Sequence, residues 1–434
     1  MRTSEQRGNI GRTAANAATD NGTRFLLYPQ PPVLTSIRGP ETVWIARPPG
    51  SIGPGPSDER MYVVDAVDKR DHYDYPYLPP YSGPRNPAVQ PGPDGHFDHL
   101  TDPWSREFMA AHMYGTIRFV LDAWEKYFGG PLPWHFAEFL PRLELVPVIE
   151  WNNAQSGFGF IETGFARPGE PDPQPFCLNF DVLAHELGHS FVYQLLGTPP
   201  ADQVRTEYIA FQESAADCVA LIAVMHFDSV IDRLLERTSG NIYLPNELNR
   251  IGELSETEEI RLASQSLTLD DVPDLRTPLV ELTQPQRHAM SLPVTGAVFD
   301  MLVDVFQELL VEDGLISPEL DAMSRPDLGD ADEAGVQAMF DEAYAGRHDQ
   351  FKRALRDARD YMGRCLAEAW RNLTWDLRYG DVAAALLAAD QRLMRGVGTN
   401  IMANSLSWRG IDVPYGAARR TFRGRNAKSR PGIF

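Results

Sequence analysis

Val182, Leu183, Leu187, Phe191 and Leu195 recur at three- and four-residue spacing, which predicts an amphipathic helix that must stop before Pro199-Pro200. A second stretch, residues 208–225, is so apolar that it reads as a largely buried helix. Upstream, residues 111–127 predict a long amphipathic helix and residues 143–149 an apolar strand. Beyond residue 230, apolar positions at i, i+3 and i+4 mark helices over 231–237, 293–311, 335–344, 350–373 and 379–394, so the chain after residue 201 reads as almost wholly helical. Near the N-terminus, residues 25–28, 42–46 and 61–67 read as short strands between Pro and Gly punctuation. Residues 75–93 are dominated by proline and predict an extended strap; the aromatic residues from Tyr73 to Tyr81 suit packing on the protein's own surface better than presentation as a Pro-rich ligand.

This pattern divides the chain into a Pro/Gly-rich segment with short strands (1–100), a lobe ending in the 182–195 helix (101–200), a helical lobe (201–408) and a basic tail (409–434). Residues 1–22 read as disordered and the acidic run 327–333 as a solvated loop. The tail carries seven basic residues and one acid.

The first helix carries chemistry. His185 and His189 stand four apart with Glu186 between them, and positions i and i+4 share a helix face, so both imidazoles can reach one zinc ion. Glu186 sits beside that metal without binding it, placed to take a proton from an activated water. The competing reading is a helix whose histidines are merely hydrogen-bonded.

A catalytic zinc keeps three protein ligands and an open position, which calls for a third donor. Glu213 and Asp217 are again four apart, inside the apolar 208–225 helix, where acids are costly unless a metal and a histidine compensate them. Glu213 is the expected ligand, and Asp217 the acceptor that fixes the tautomer of a ligand histidine. Glu207 competes as third ligand but lacks an acid one turn on.

Composition narrows the picture. The chain of 434 residues is 43% hydrophobic, enough for one large core or two medium ones. Sixty acids against forty bases give a net charge of −20, which argues against nucleic acid or an anionic membrane as partner. The three cysteines, Cys177, Cys218 and Cys365, imply no disulfide framework, and Cys177 reads as a core thiol in preference to a metal ligand. Neither a signal peptide nor a run of about 18 apolar residues is visible, which points to a cytoplasmic protein, with export by another route as the alternative.

Four blocks in order, Ala111-His112-Met113-Tyr114, Asn152-Asn153-Ala154, Asp181 to His189 and Gln212-Glu213-Ser214 to Asp217, resemble the thermolysin-like neutral proteases of the gluzincin group. The resemblance covers roughly residues 95–310, and more loosely the rest to about 408. It implies an α+β, two-lobed metallopeptidase with a β-containing N-terminal lobe, a mainly helical C-terminal lobe and the zinc helix between them. It further implies that Asn153 and Ala154 belong to an edge strand that binds substrate, that Val182 lines the pocket after the scissile bond, and that His288 stabilises the oxyanion. Arg261 would hold a substrate carbonyl; the alternative for this arginine in Glu258-Glu259-Ile260-Arg261 is a solvated helix face, and for His288 a surface position at a helix N-terminus.

Departures from the family pattern are equally specific. The family's assisting tyrosine falls here in a longer, Pro-interrupted connection, leaving Tyr193 and Tyr208 as substitutes. Thr283 stands where an acid should orient the oxyanion histidine, with Glu281 as a replacement. Asp181 is retained among the calcium ligands, but Val224 occupies a glutamate position, which argues against calcium. The resulting expectation is a zinc endopeptidase, monomeric, acting on peptides or proteins and favouring an apolar residue after the cleaved bond. A zinc-stabilised pseudo-peptidase or binding scaffold is the alternative from another class, and an exopeptidase a third.

Overall fold

Pro147 follows Leu143–Val146, and because proline cannot donate to a ladder, the strand predicted over 143–149 ends at Val146. In the computed structural model, which describes residues 22–34, 39–166, 173–255, 258–324 and 333–413, that strand lies inside a four-stranded sheet. The chain is mixed α+β. Strands β1 (Thr23–Leu27) and β2 (Glu41–Ile45) form an antiparallel pair, close to the predicted segments. Strands β3 (Met61–Val63), β4 (Leu143–Val146), β5 (Ala154–Gly157) and β6 (Phe160–Thr163) assemble in the order β3-β4-β6-β5. The first two junctions are parallel and the last antiparallel, so β5 is an edge with one side unpaired. A further short pair, β7 (Phe165–Ala166) with β8 (Gln174–Pro175), leads into the helices.

Helix α1 (Arg106–Tyr127) is capped by Ser105, whose side chain accepts the Phe108 N–H. It is buried along most of its length. His112 at its centre is a structural residue: its Nε2 accepts the Tyr28 N–H at 3.0 Å and its Nδ1 donates to Cys177 O at 2.8 Å. Burial pushes its pKa down to about 4, so the ring is neutral. Next come α2 (Phe180–Leu196), α3 (Thr206–Val224) and α4 (Asp228–Thr238).

Residues 201–408 are not wholly helical. An antiparallel hairpin of β9 (Arg250–Ser255) and β10 (Glu258–Leu262) interrupts them. Its charged outer residues mask the two-residue alternation that identifies a strand, which is how Glu258 to Arg261 came to read as a helix face. Helices α5 (Gln284–Ala289), α6 (Leu292–Glu312), α7 (Pro318–Ser324), α8 (Glu333–Tyr344), α9 (His348–Trp370), α10 (Tyr379–Met394) and α11 (Thr399–Trp408) complete the chain.

The main hydrophobic core is continuous from Phe25 to Ile411 and includes the stacked pair Trp124 and Trp370, ring centroids 5.1 Å apart. The Pro-rich strap folds back on the sheet, where Tyr73 and Tyr81 join Val64, Val146, Ile149 and Phe160 in a second cluster. Tyr73 Oη donates to Glu144 at 2.5 Å, and Lys69 pairs with Glu162 at 2.6 Å, both well inside the protein. The stretch Gln284–Glu312 is long and apolar enough to cross a membrane, yet most of it is buried within the fold.

Arg409 does not belong to a tail. Its side chain is buried, paired with Asp300 at 2.7 Å and bonded to Gln265 Oε1 and Leu267 O, each at 2.9 Å. Residues 1–21, 325–332 and 414–434, over which disorder, an acidic loop and most of the basic tail were expected, lie outside the described residues.

Candidate active site

Asn179 caps α2, its side-chain oxygen accepting the Val182 N–H at 3.2 Å, and Gly197 ends the helix at a φ of 84°. That frame turns His185, Glu186 and His189 into a cleft. Helix α3 crosses α2 at Gly188: a Cβ there would lie 2.6 Å from the Ala216 Cα, so only glycine lets the two backbones approach this closely. The approach brings Glu213 to the histidines.

The three expected ligands converge. His185 Nε2 and His189 Nε2 are 3.1 Å apart, and the Glu213 carboxylate is 3.6 Å from the first and 3.8 Å from the second. All three donor atoms lie within 4.8 Å of one another, a set of two imidazoles and one carboxylate that suits a single divalent cation with an open position. Asp217 is fully buried, and its Oδ1 accepts from His185 Nδ1 at 2.9 Å, which turns Nε2 toward the cleft. Thr295 Oγ1 donates to the other oxygen of Asp217 at 3.2 Å.

Glu207 is not part of this group. Its carboxylate accepts the Tyr379 N–H at 3.3 Å, on the far side of α3's first turn. Cys177 is likewise a buried core thiol, pushed up to about 12 by burial.

Arg261 arrives from β10 and spans the two acids, at 2.5 Å from Asp217 and 2.6 Å from Glu213. The solvated helix face considered for this residue is thereby replaced by a buried strand position. Its Nε has no hydrogen-bond partner among the described residues.

Electrostatics follow from this packing. Burial alone would raise both acids, but the His185 hydrogen bond and the charges of His189 and Arg261 hold Glu213 well below the usual carboxylate range. Arg261 and His185 likewise lower Asp217 against its burial. For His185, burial and Arg261 oppose a proton, yet the bonds to Asp217 and Glu213 prevail and raise it to about 9. Burial, helped by His185, lowers His189 to about 4. At neutral pH the positive charge therefore sits on His185 and His189 is neutral. Glu186 is different: burial raises it to about 7, reinforced by the Glu213 charge and opposed by His185.

The remaining expected residues are placed as follows. His288, on α5, lines the cleft with Nε2 3.7 Å from Glu213 and is more than a third exposed. Its expected orienting acid is absent, because Thr283 caps α5 together with Gln286, and Glu281 is exposed and not bonded to His288. Asn153 and Ala154 lie at the start of edge strand β5, and Ala154 packs with Val182, Ala166 and Phe176 in a small apolar cluster. Of the two tyrosines, Tyr193 lines the cleft; Tyr208 is committed to Gly197 O at 2.8 Å. Asp181 has another task, accepting the Gly252 N–H of β9 at 3.1 Å, and Val224 is buried in α3.

The cleft holds about 340 Å³ and is also lined by Gln155, Ser156, Gln212, Ile251, Ile260 and Gln284, which sequence reasoning missed. Ile251 and Ile260 stand on hairpin strands rich in Glu and Arg, whose charges hide the two-residue alternation that would have marked them. Set against known proteins, the chain matches no protein-family model and no curated protein.

Proposed function

We propose that this protein is a zinc-dependent endopeptidase with the two-lobed arrangement of the thermolysin-like proteases, the β-containing part and the helical part meeting at α2. The observation that carries the reading is the convergence of His185, His189 and Glu213 beside a buried acid, Glu186, that binds none of them. A scaffold needing zinc for stability alone has no use for Glu186.

The three ligands would hold zinc, which when bound polarises the scissile carbonyl and acidifies water. Glu186 takes the proton of the attacking water and passes it to the leaving amine, a task suited to a buried carboxyl on the cleft wall that is not itself one of the three ligands. Asp217 keeps the His185 ring in the tautomer that binds metal. Tyr193 and His288, both on the cleft wall, are the donors available to the carbonyl oxygen as it becomes negative. Arg261, anchored by two acids on the cleft wall, places its positive charge beside a substrate carbonyl.

Substrate binding uses the unpaired side of β5. An extended peptide adds to this edge as another strand, its backbone recognised without regard to sequence. The Ala154, Phe176 and Val182 cluster receives an apolar side chain after the scissile bond. An open edge admits chains that continue in both directions, which favours cleavage within a peptide over cleavage at its end.

Glu186→Gln is expected to retain zinc by elemental analysis while losing at least about 100-fold in hydrolysis of a doubly capped quenched peptide. Glu213→Ala is expected to lose the metal itself. Undiminished hydrolysis by the glutamine variant would sink the assignment.

A further inference from the structure

Beyond the cleft, the loop after α1 and the turn between β5 and β6 place aromatic rings in water. Phe139 is 74% exposed and Phe158 39% exposed, with centroids 5.7 Å apart. The His135 ring lies 5.8 Å from Phe158 on one side and 5.1 Å from Tyr193 on the other. Because Tyr193 lines the cleft, the rings form a path from the reaction centre to the surface. Phe136, fully buried, is 6.0 Å from Phe158 and gives the patch a fixed floor. Large side chains exposed together in this way are costly to solubility and mark binding surfaces.

We propose that Phe139, Phe158 and His135 form a distal subsite that holds an aromatic side chain of the substrate, two to four residues on the N-terminal side of the cleaved bond. The proposal rests on the endopeptidase reading and names what that cleft selects. Three observations fix the occupant. Phe158 directly follows Gly157, the last residue of β5, so a peptide added to that edge is delivered to the patch. At about 3.4 Å per residue, Phe158 lies roughly 14 Å along the strand direction from Ala154, the span of four peptide residues. The other end of β5 is already taken by the apolar cluster of Ala154, Phe176 and Val182, which receives the residue after the bond. The Phe158 end is therefore left for residues before it, and the peptide runs antiparallel to β5.

Rings are the favoured occupant because the patch offers edges and faces of three aromatic groups. Burial pushes His135 down to about 4, so it is a neutral ring that does not attract a carboxylate.

The test uses the zinc-loaded full chain and capped quenched peptides that differ only by Phe, Ala or Asp two, three or four residues before the cleaved bond. The native protein should prefer Phe over Ala at one of these positions by about tenfold in kcat/KM, the size expected for an added aromatic contact. Phe158→Ala and Phe139→Ala should each shrink that ratio at least threefold, and Phe158→Tyr should keep it. The melting temperature of each variant reports whether it is folded. Equal Phe and Ala rates in the native protein, or a ratio untouched by both alanine variants, would overturn the subsite while leaving the endopeptidase intact. A change of oligomeric state in Phe158→Ala with an unchanged ratio overturns it in favour of a self-association surface. Failure to cleave any peptide overturns both the subsite and the function beneath it.

Discussion

Asp217 gathers three partners at one buried carboxylate: His185, Arg261 and Thr295. Its value to the site is orientation, since an imidazole held at Nδ1 presents Nε2 in one direction only. Asp217→Asn can still receive one hydrogen bond but cannot match both cations, and zinc affinity is expected to fall about 10- to 100-fold in a titration against a chromogenic chelator. An unchanged affinity would show that His185 is oriented by packing instead. At this scale the sequence was informative wherever residues act at helical spacing. His185, Glu186 and His189, and again Glu213 and Asp217, declare themselves by being four apart or adjacent on apolar helices. Arg261, Tyr193 and Gln212 carry no such mark, because each faces the cleft only through the tertiary placement of its element.

Helices α2 and α3 act as a pair, and their crossing point decides where the three proposed ligands meet. Gly188 sits at that point with backbone, not a flexible side chain, as its neighbour. Gly188→Ala must push the helices apart, at a cost of about 1–3 kcal/mol, and should lower zinc occupancy more than a stability loss of that size explains. Urea denaturation beside metal analysis separates the two effects. The helices themselves were legible from periodicity because they are long and apolar on one face. The β9–β10 hairpin was not, since its ladder pairs through backbone and its strands are rich in Glu and Arg. Its placement depends on distant groups: Asp181 accepts from Gly252, Asn179 donates to Glu253 O, and Gln30 reaches the Glu253 carboxylate. No local pattern announces contacts of that kind.

For the whole molecule, the mixed α+β character and the order of elements were readable, while the joining of the first strands and the last helix in one core was not. Such closure is a property of long-range packing. Arg409 illustrates it, because in sequence it heads a basic stretch and in space it is a buried cation tied to Asp300, Gln265 and Leu267. Arg409→Ala is expected to destabilise the protein by on the order of 3 kcal/mol, measured by urea unfolding, since it removes a buried cation that binds Asp300, Gln265 and Leu267 at once. A change within about 0.5 kcal/mol would mean that solvent reaches this group freely.

The anchor at Arg409 also has a consequence in time. It fixes Gln265 and Leu267, just beyond the strand that delivers Arg261 to Glu213 and Asp217. Synthesis proceeds from the N-terminus at about 5–20 residues per second, so His185 leaves the ribosome more than 200 residues before Arg409 and waits roughly 11–45 seconds for it. A nascent chain carries the three proposed ligands, His185, His189 and Glu213, long before the Arg409 anchor beyond β10 can form. The Arg261 side of the candidate site is thus anchored only after residue 409 has been made.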